Sequence, residues 1–291
     1  MGFVSRRLLL PVLCALAGAC VGACTDTRGE DAGAVLDARE GSLALLQLER
    51  FTDSDVPLPR LVAGAKIARY RAIDGDALLR LLGADARDLD TCSASGGLGE
   101  LDLGPEAQVE LLSIGDITLR GGGAQSTLSP RLFPALATTA SGWFYAGEAE
   151  ASLPRAEFDE YVLSAPGEAG TGAFEVAMAA PGPVLGLSLA GLALEQTASL
   201  ERSGAVELTW DAEEAGDRVE FELYTGGSMV ACTARDDGHF ALSAAQLSAL
   251  EADENASLVV RRVRVAPVDM HGITSAYARL ASSRTLSLQV R

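Results

Sequence analysis

Arg218-Val219-Glu220-Phe221-Glu222-Leu223-Tyr224 alternates apolar and polar side chains without a break. Successive side chains on a strand point to opposite faces, so this spacing predicts a β-strand with one apolar and one charged face. The same period runs through Ala205-Val206-Glu207-Leu208-Thr209-Trp210. Met229 to Ala234 reads as a strand carrying Cys232, and the turn at Asp236-Asp237-Gly238 leads into His239-Phe240-Ala241-Leu242. Ala244 to Leu250 reads as a helical turn or two, Ser257 to Val265 as a strand with charged sides, and Arg284 to Arg291 as the closing strand. Roughly seven strands in about 100 residues predict an immunoglobulin- or fibronectin-like sandwich over 191–291. The Cys…Trp…Cys spacing of true immunoglobulin domains is absent, because Trp210 precedes Cys232 and no cysteine follows.

Residues 42–190 predict a second β-rich domain, irregular and with a short helix, which makes the chain mainly β. Leu43 to Glu49 reads as a strand or a short helix, and Ala65 to Ile73 as a strand. Asp74 or Asp76 caps a helix through Leu82, and Gly83 ends it. Asp88 to Gly104 reads as a loop carrying Cys92. Gln108 to Arg120 reads as strand, turn at Gly115-Asp116, and strand, and Gly121-Gly122-Gly123 as a hairpin turn. Gly142 to Leu153, Glu160 to Ser164 and Gly172 to Ala179 are further strand candidates, and Pro181-Gly182-Pro183 punctuates the chain.

Ahead of this body lies a different kind of segment. Arg6-Arg7 precedes an apolar run from Leu8 to Ala19, and small residues follow. That is the layout of a secretory signal. A bilayer-spanning helix needs about 20 apolar residues, which the run meets only marginally before polar Thr25. Val21-Gly22-Ala23-Cys24 resembles the lipobox of bacterial lipoproteins. The resemblance implies cleavage after residue 23 and diacylglycerol on the Cys24 thiol, with Ala17-Gly18-Ala19-Cys20 as the competing site. One acyl chain holds a protein weakly, but two or three on one cysteine anchor it durably. Residues 1–23 are then the signal peptide, and polar 24–41 a flexible tether. By the sorting logic of enterobacterial lipoproteins, non-acidic Thr25 implies the outer membrane.

The formal charge is -17. So acidic a surface repels nucleic-acid phosphates, and no basic patch interleaved with aromatics exists, so nucleic acid is not an expected partner. Lys66 is the sole lysine, and arginine carries almost all the positive charge.

Trp210-Asp211, the Val219 to Leu223 strand, Cys232, Asp236 to Phe240 and Leu247 to Leu250 resemble the C-terminal half of uncharacterised myxobacterial lipoproteins. Val109 to Leu119, Leu128 to Leu136 and Ser141 to Gly147 resemble their N-terminal half. The resemblance spans about residues 60–265. It implies class and location, and it transfers no catalytic residue.

Candidate chemistry is sparse. His239 and His271 are the only histidines, and neither sits at a metal-ligand spacing, so no metal and no cofactor are expected. Asp236-Asp237-Gly238 lacks the oxygen spacing of a calcium loop. Ser93-Ala94-Ser95 is no nucleophile elbow. Glu157, Asp159 and Glu160 read as a solvated acidic loop rather than a glycosidase pair. Trp143 and Tyr145 share one strand face and are the candidate ligand contacts, or else core. Cys92 and Cys232 either pair in an oxidising envelope or stay as buried thiols. The expectation is a non-catalytic, lipid-anchored cell-envelope protein that contacts a partner protein or a glycan. A carbohydrate-binding module and a hydrolase with a hidden Ser/His/acid site are the alternatives.

Overall fold

The computed structural model describes residues 40–52, 60–84, 87–95, 106–137, 140–149, 160–168, 170–194, 198–213, 217–252 and 255–291. The signal segment, Cys20, Cys24, the tether up to residue 39, Glu157 and Asp159 lie outside them.

The protein is mainly β, with three sheets and two short helices. An eleven-stranded sheet runs in the order β3 (Thr91–Ser95), β16 (Ser228–Arg235), β15 (Arg218–Thr225), β18 (Asn255–Pro267), β19 (Ser275–Val290), β1 (Glu40–Phe51), β2 (Arg60–Arg71), β4 (Gln108–Leu111), β8 (Ala140–Ala149) and β7 (Arg131–Ala137). Its eleventh member, β13 (Ala198–Leu200), pairs in parallel with β19. One four-stranded sheet has the order β10 (Phe174–Ala179), β9 (Glu160–Ala165), β5 (Ile117–Gly121), β6 (Ala124–Leu128). The other has β12 (Leu192–Ala193), β11 (Ser188–Leu189), β14 (Val206–Thr209), β17 (His239–Leu242).

Strand parity explains how the layers stack. The even residues of β19 share one face. Ala276, Ala278 and Leu280 enter a core with Ala44, Leu46 and Leu48 of β1, and with Leu119 and Leu163 from the first small sheet. Leu288 and Val290 enter a second core with Phe221, Leu258 and Val260, and with Leu208 and Leu242 from the other small sheet. Register along β18 and β19 is unbroken, so both small sheets pack on the same face of the long one.

Between the two cores that face turns polar. Arg262 is 2% exposed and the side chain of Asp236 1%. Arg262 donates to both Asp236 oxygens, to Glu213, and to the carbonyls of Pro183 and Asp211. Buried Arg50 donates to the carbonyl of Pro181 and to Ser282. The Pro181-Gly182-Pro183 stretch crosses this seam, between Ala180 in the first core and Val184 in the second. The first core also takes Met270, Ala276, Ala278 and Leu280 from after residue 190. The long sheet likewise spans that point: β1 and β2, from before residue 190, lie side by side with β18 and β19 from after it.

The opposite face of the long sheet carries α1 (Gly75–Leu81) over Leu43, Leu45, Ala68, Tyr70 and Tyr277. Asp74 caps α1 by accepting from the Ala77 N–H at 2.8 Å, and Gly83 closes it at φ +73°. Ser243 and Gln246 form a capping box on α2 (Ala244–Leu247).

Of three local readings, one alternative is decided, one holds and one is corrected. Leu43 to Glu49 is a strand, because its odd and even side chains both find apolar layers. Gln108 to Arg120 is strand, turn and strand as read: β4 joins the long sheet and β5 a small one, so Gly115-Asp116 turns the chain between layers. Thr91 to Ser95 is an edge strand rather than loop, held to β16 by five paired residues.

Candidate contact surface

Cys232 is fully buried on β16 and faces Cys92 directly across the β3–β16 pair. The two are joined by a disulfide with Cα atoms 4.0 Å apart, bridging 140 residues of sequence. The bond fastens the outermost strand of the sheet, Ser93 included, to its interior.

Trp143 and Tyr145 fare differently. Tyr145 is 1% exposed, and its hydroxyl accepts from the Ile114 N–H at 2.8 Å and donates to the Gly115 carbonyl at 2.9 Å. It is a core residue that pins the β4–β5 crossing, so it is removed from the ligand contacts. Trp143 is 41% exposed, and its cross-strand partner Leu132 is 65% exposed. Gly142, at φ +123°, brings β8 so close to β4 that a Cβ there would lie 2.0 Å from the Leu111 carbonyl oxygen. That backbone departure next to Trp143 lets two residues of one strand face meet such different surroundings. Leu132 was not legible as a contact, because one leucine between prolines carries no exposure signal.

The Trp143–Leu132 pair has a definite height on the sheet. Ala140 is level with Val109, Val109 with Tyr70, and Tyr70 with Gly41, one residue into β1. Trp143 therefore lies about 10 Å along the strands from the level where the chain enters the sheet. Ser42 is fixed there by the Thr274 N–H, which donates to its hydroxyl at 2.9 Å.

The charged strand face read at 218–224 lies beyond α1. Arg261 bridges Glu49 at 2.7 Å and Glu222 at 2.6 Å, and Arg279 reaches Glu220 at 2.5 Å. Burial raises the Glu49 pKa, but Arg261, the Ser283 hydroxyl and Arg279 outweigh it and leave it below 4.5. Burial likewise opposes the charge on Arg261, and the two carboxylates reverse the effect and raise it. Tyr224 is pushed up to about 12 by burial and by its bond to Glu222. Burial alone lowers Lys66, whose ammonium donates to the Leu82 carbonyl at the end of α1.

The remaining candidates stay apart from one another in role. His239 is exposed beside Asp237, and His271 is exposed in the β18–β19 turn. The Asp236 carboxylate turns inward to Arg262 and to the Trp210 indole N–H at 2.7 Å, so the turn directs it at the seam. Trp210 is core, 5.3 Å from the Phe221 ring. Among the described residues no group of three or more His, Cys, Asp or Glu is placed to hold a metal ion, and no helix is long and apolar enough to cross a membrane.

No protein-family model matches the chain, and no curated protein matches it. Among solved structures it is similar to the Fcho1 Mu homology domain of Danio rerio with bound Eps15 peptide. Identity is 8%, covering 88% of this chain and 98% of that one, at a TM-score of 0.22. A likeness of that size implies no common fold and no shared function.

Proposed function

We propose that the protein is a lipid-anchored, non-catalytic component of a cell envelope, held by acyl chains on Cys24 and presenting its β body for contact. The observation that carries this reading is the order of the N-terminal sequence: Arg6-Arg7, the apolar run, then Val21-Gly22-Ala23-Cys24. The first described strand begins at Glu40, which supports it. Of the stretch read as a flexible tether, 24–41, Glu40 and Gly41 belong to β1 instead; the remainder, as a flexible coil, has a root-mean-square span of roughly 20–24 Å, which keeps the body beside the bilayer. An outer-membrane location belongs to the same reading. So does a sandwich of immunoglobulin or fibronectin kind for the second core, which the packing of β14 and β17 against β15 and β18 supports.

A glycan as contact rests on the exposed ring of Trp143 alone, because Tyr145 is committed to the core. Membrane fractionation tests the anchor. Cys24→Ser, and the double replacement with Cys20→Ser, are expected to move the protein from the membrane to the soluble fraction. Partitioning like the parent by both variants would overturn the proposal.

A further inference from the structure

We infer that Leu132 and Trp143 form a small bilayer-contacting edge that seats the β body against the lipid surface to which its tether leads; this rests on the lipid-anchored reading. Four observations carry it. The two side chains are direct cross-strand partners, both substantially exposed, on β7, which ends the long sheet, and on its neighbour β8. They lie about 10 Å from the level of Gly41, where the tether hands over to the sheet. Two to four strand spacings separate β1 from this pair across the sheet, so the full offset is roughly 14–22 Å. That is comparable with the roughly 20–24 Å span of the tether, so lipid and edge are within reach of each other. The chemistry also fits: tryptophan concentrates at membrane–water interfaces, where an amphipathic ring meets both headgroup and acyl chain.

A protein partner fits the edge less well. Stable protein interfaces bury about 1,200–2,000 Å², far more than two side chains offer. Charge does not guide the contact, since the chain carries -17 and is repelled by anionic headgroups. The edge acts by shallow apolar insertion, and the acyl chains provide the hold. With the edge seated, the β3 side of the sheet and its disulfide point away from the lipid.

The chain has two tryptophans, and Trp210 is buried, so fluorescence can isolate Trp143. Full-length expressed protein, purified from membranes with its own modification, is reconstituted into phosphatidylcholine vesicles with or without bromine on the acyl chains. Flotation and intact mass are read on the same sample. The expected result is co-flotation, with Trp143 emission cut at least ~two-fold by the brominated lipid. Trp143→Phe should abolish the quenching, and Leu132→Ser should weaken it, both without loss of flotation or of melting temperature. An acylated protein that floats but is unquenched overturns the edge and leaves the anchor standing. A protein that neither floats nor carries acyl mass overturns the anchor, and the edge with it. Emission that is shielded in native membranes yet unquenched in vesicles assigns the pair to a protein partner and overturns the lipid contact.

Discussion

Arg262 shows what one side chain does in the seam between the cores. Each of its nitrogens is occupied, and Asp236 has almost no water of its own. Arg262→Met keeps the volume and strands the Asp236 carboxylate, so it should lower unfolding free energy by about 3–5 kcal/mol in urea titration. A loss below about 1 kcal/mol would mean the seam is open to solvent. Glu49 makes a prediction in pH. Its folded pKa is below the ordinary 4.5, so its contribution is complete above that value and fades as pH falls through the lower, folded one. Glu49→Gln should be less stable than the parent at pH 7, and its stability should fall less steeply below pH 4.5. Parallel curves would contradict the pairing with Arg261. The sequence announced these roles only in part. Alternation at 218–224 placed Glu220 and Glu222 on a common face, and that face exists. Arg262 was hidden because the run from Val259 to Val265 places arginines on both faces, and periodicity does not say which one is buried.

At the scale of elements, edges matter most. β3 has a partner on one side only among the described strands, and its length is five residues. The disulfide compensates by tying it to the interior of β16. Replacing both cysteines by alanine should reduce stability by roughly 2–5 kcal/mol, since a closed loop of this length stands near the top of the chain-entropy range. Hydrogen exchange should quicken first over Thr91 to Ser95 and leave β15 and β18 protected. Uniform quickening would place the effect on the whole molecule instead. Gly142→Ala should separate β8 from β4, because no Cβ fits 2.0 Å from a carbonyl oxygen. Strands with strict alternation, and the helix capped by Asp74, were legible in the sequence. β3 was not: Thr-Cys-Ser-Ala-Ser has no apolar period, and pairing with β16 makes it a strand.

Among the described residues the long sheet carries two apolar cores on one face and a third under α1 on the other. Sequence placed a boundary at 190/191 and gave no sign that β1 inserts parallel to β19 at the centre of the long sheet. Such a pairing joins residues more than 200 apart, and nothing local encodes it. Because β19 serves both cores, the described body should unfold in one transition, with Trp210 fluorescence and far-ultraviolet dichroism giving the same midpoint. Two separated midpoints would show the cores to be independent. The proposal that acyl chains hold this acidic body at a membrane is tested most directly by intact-mass analysis of the protein taken from native membranes. The account predicts a chain starting at Cys24, heavier by a diacylglyceryl group with or without a further acyl chain, and lighter by two hydrogens for the Cys92–Cys232 bond. A chain starting elsewhere than Cys24 or Cys20, with no acyl mass, would contradict it.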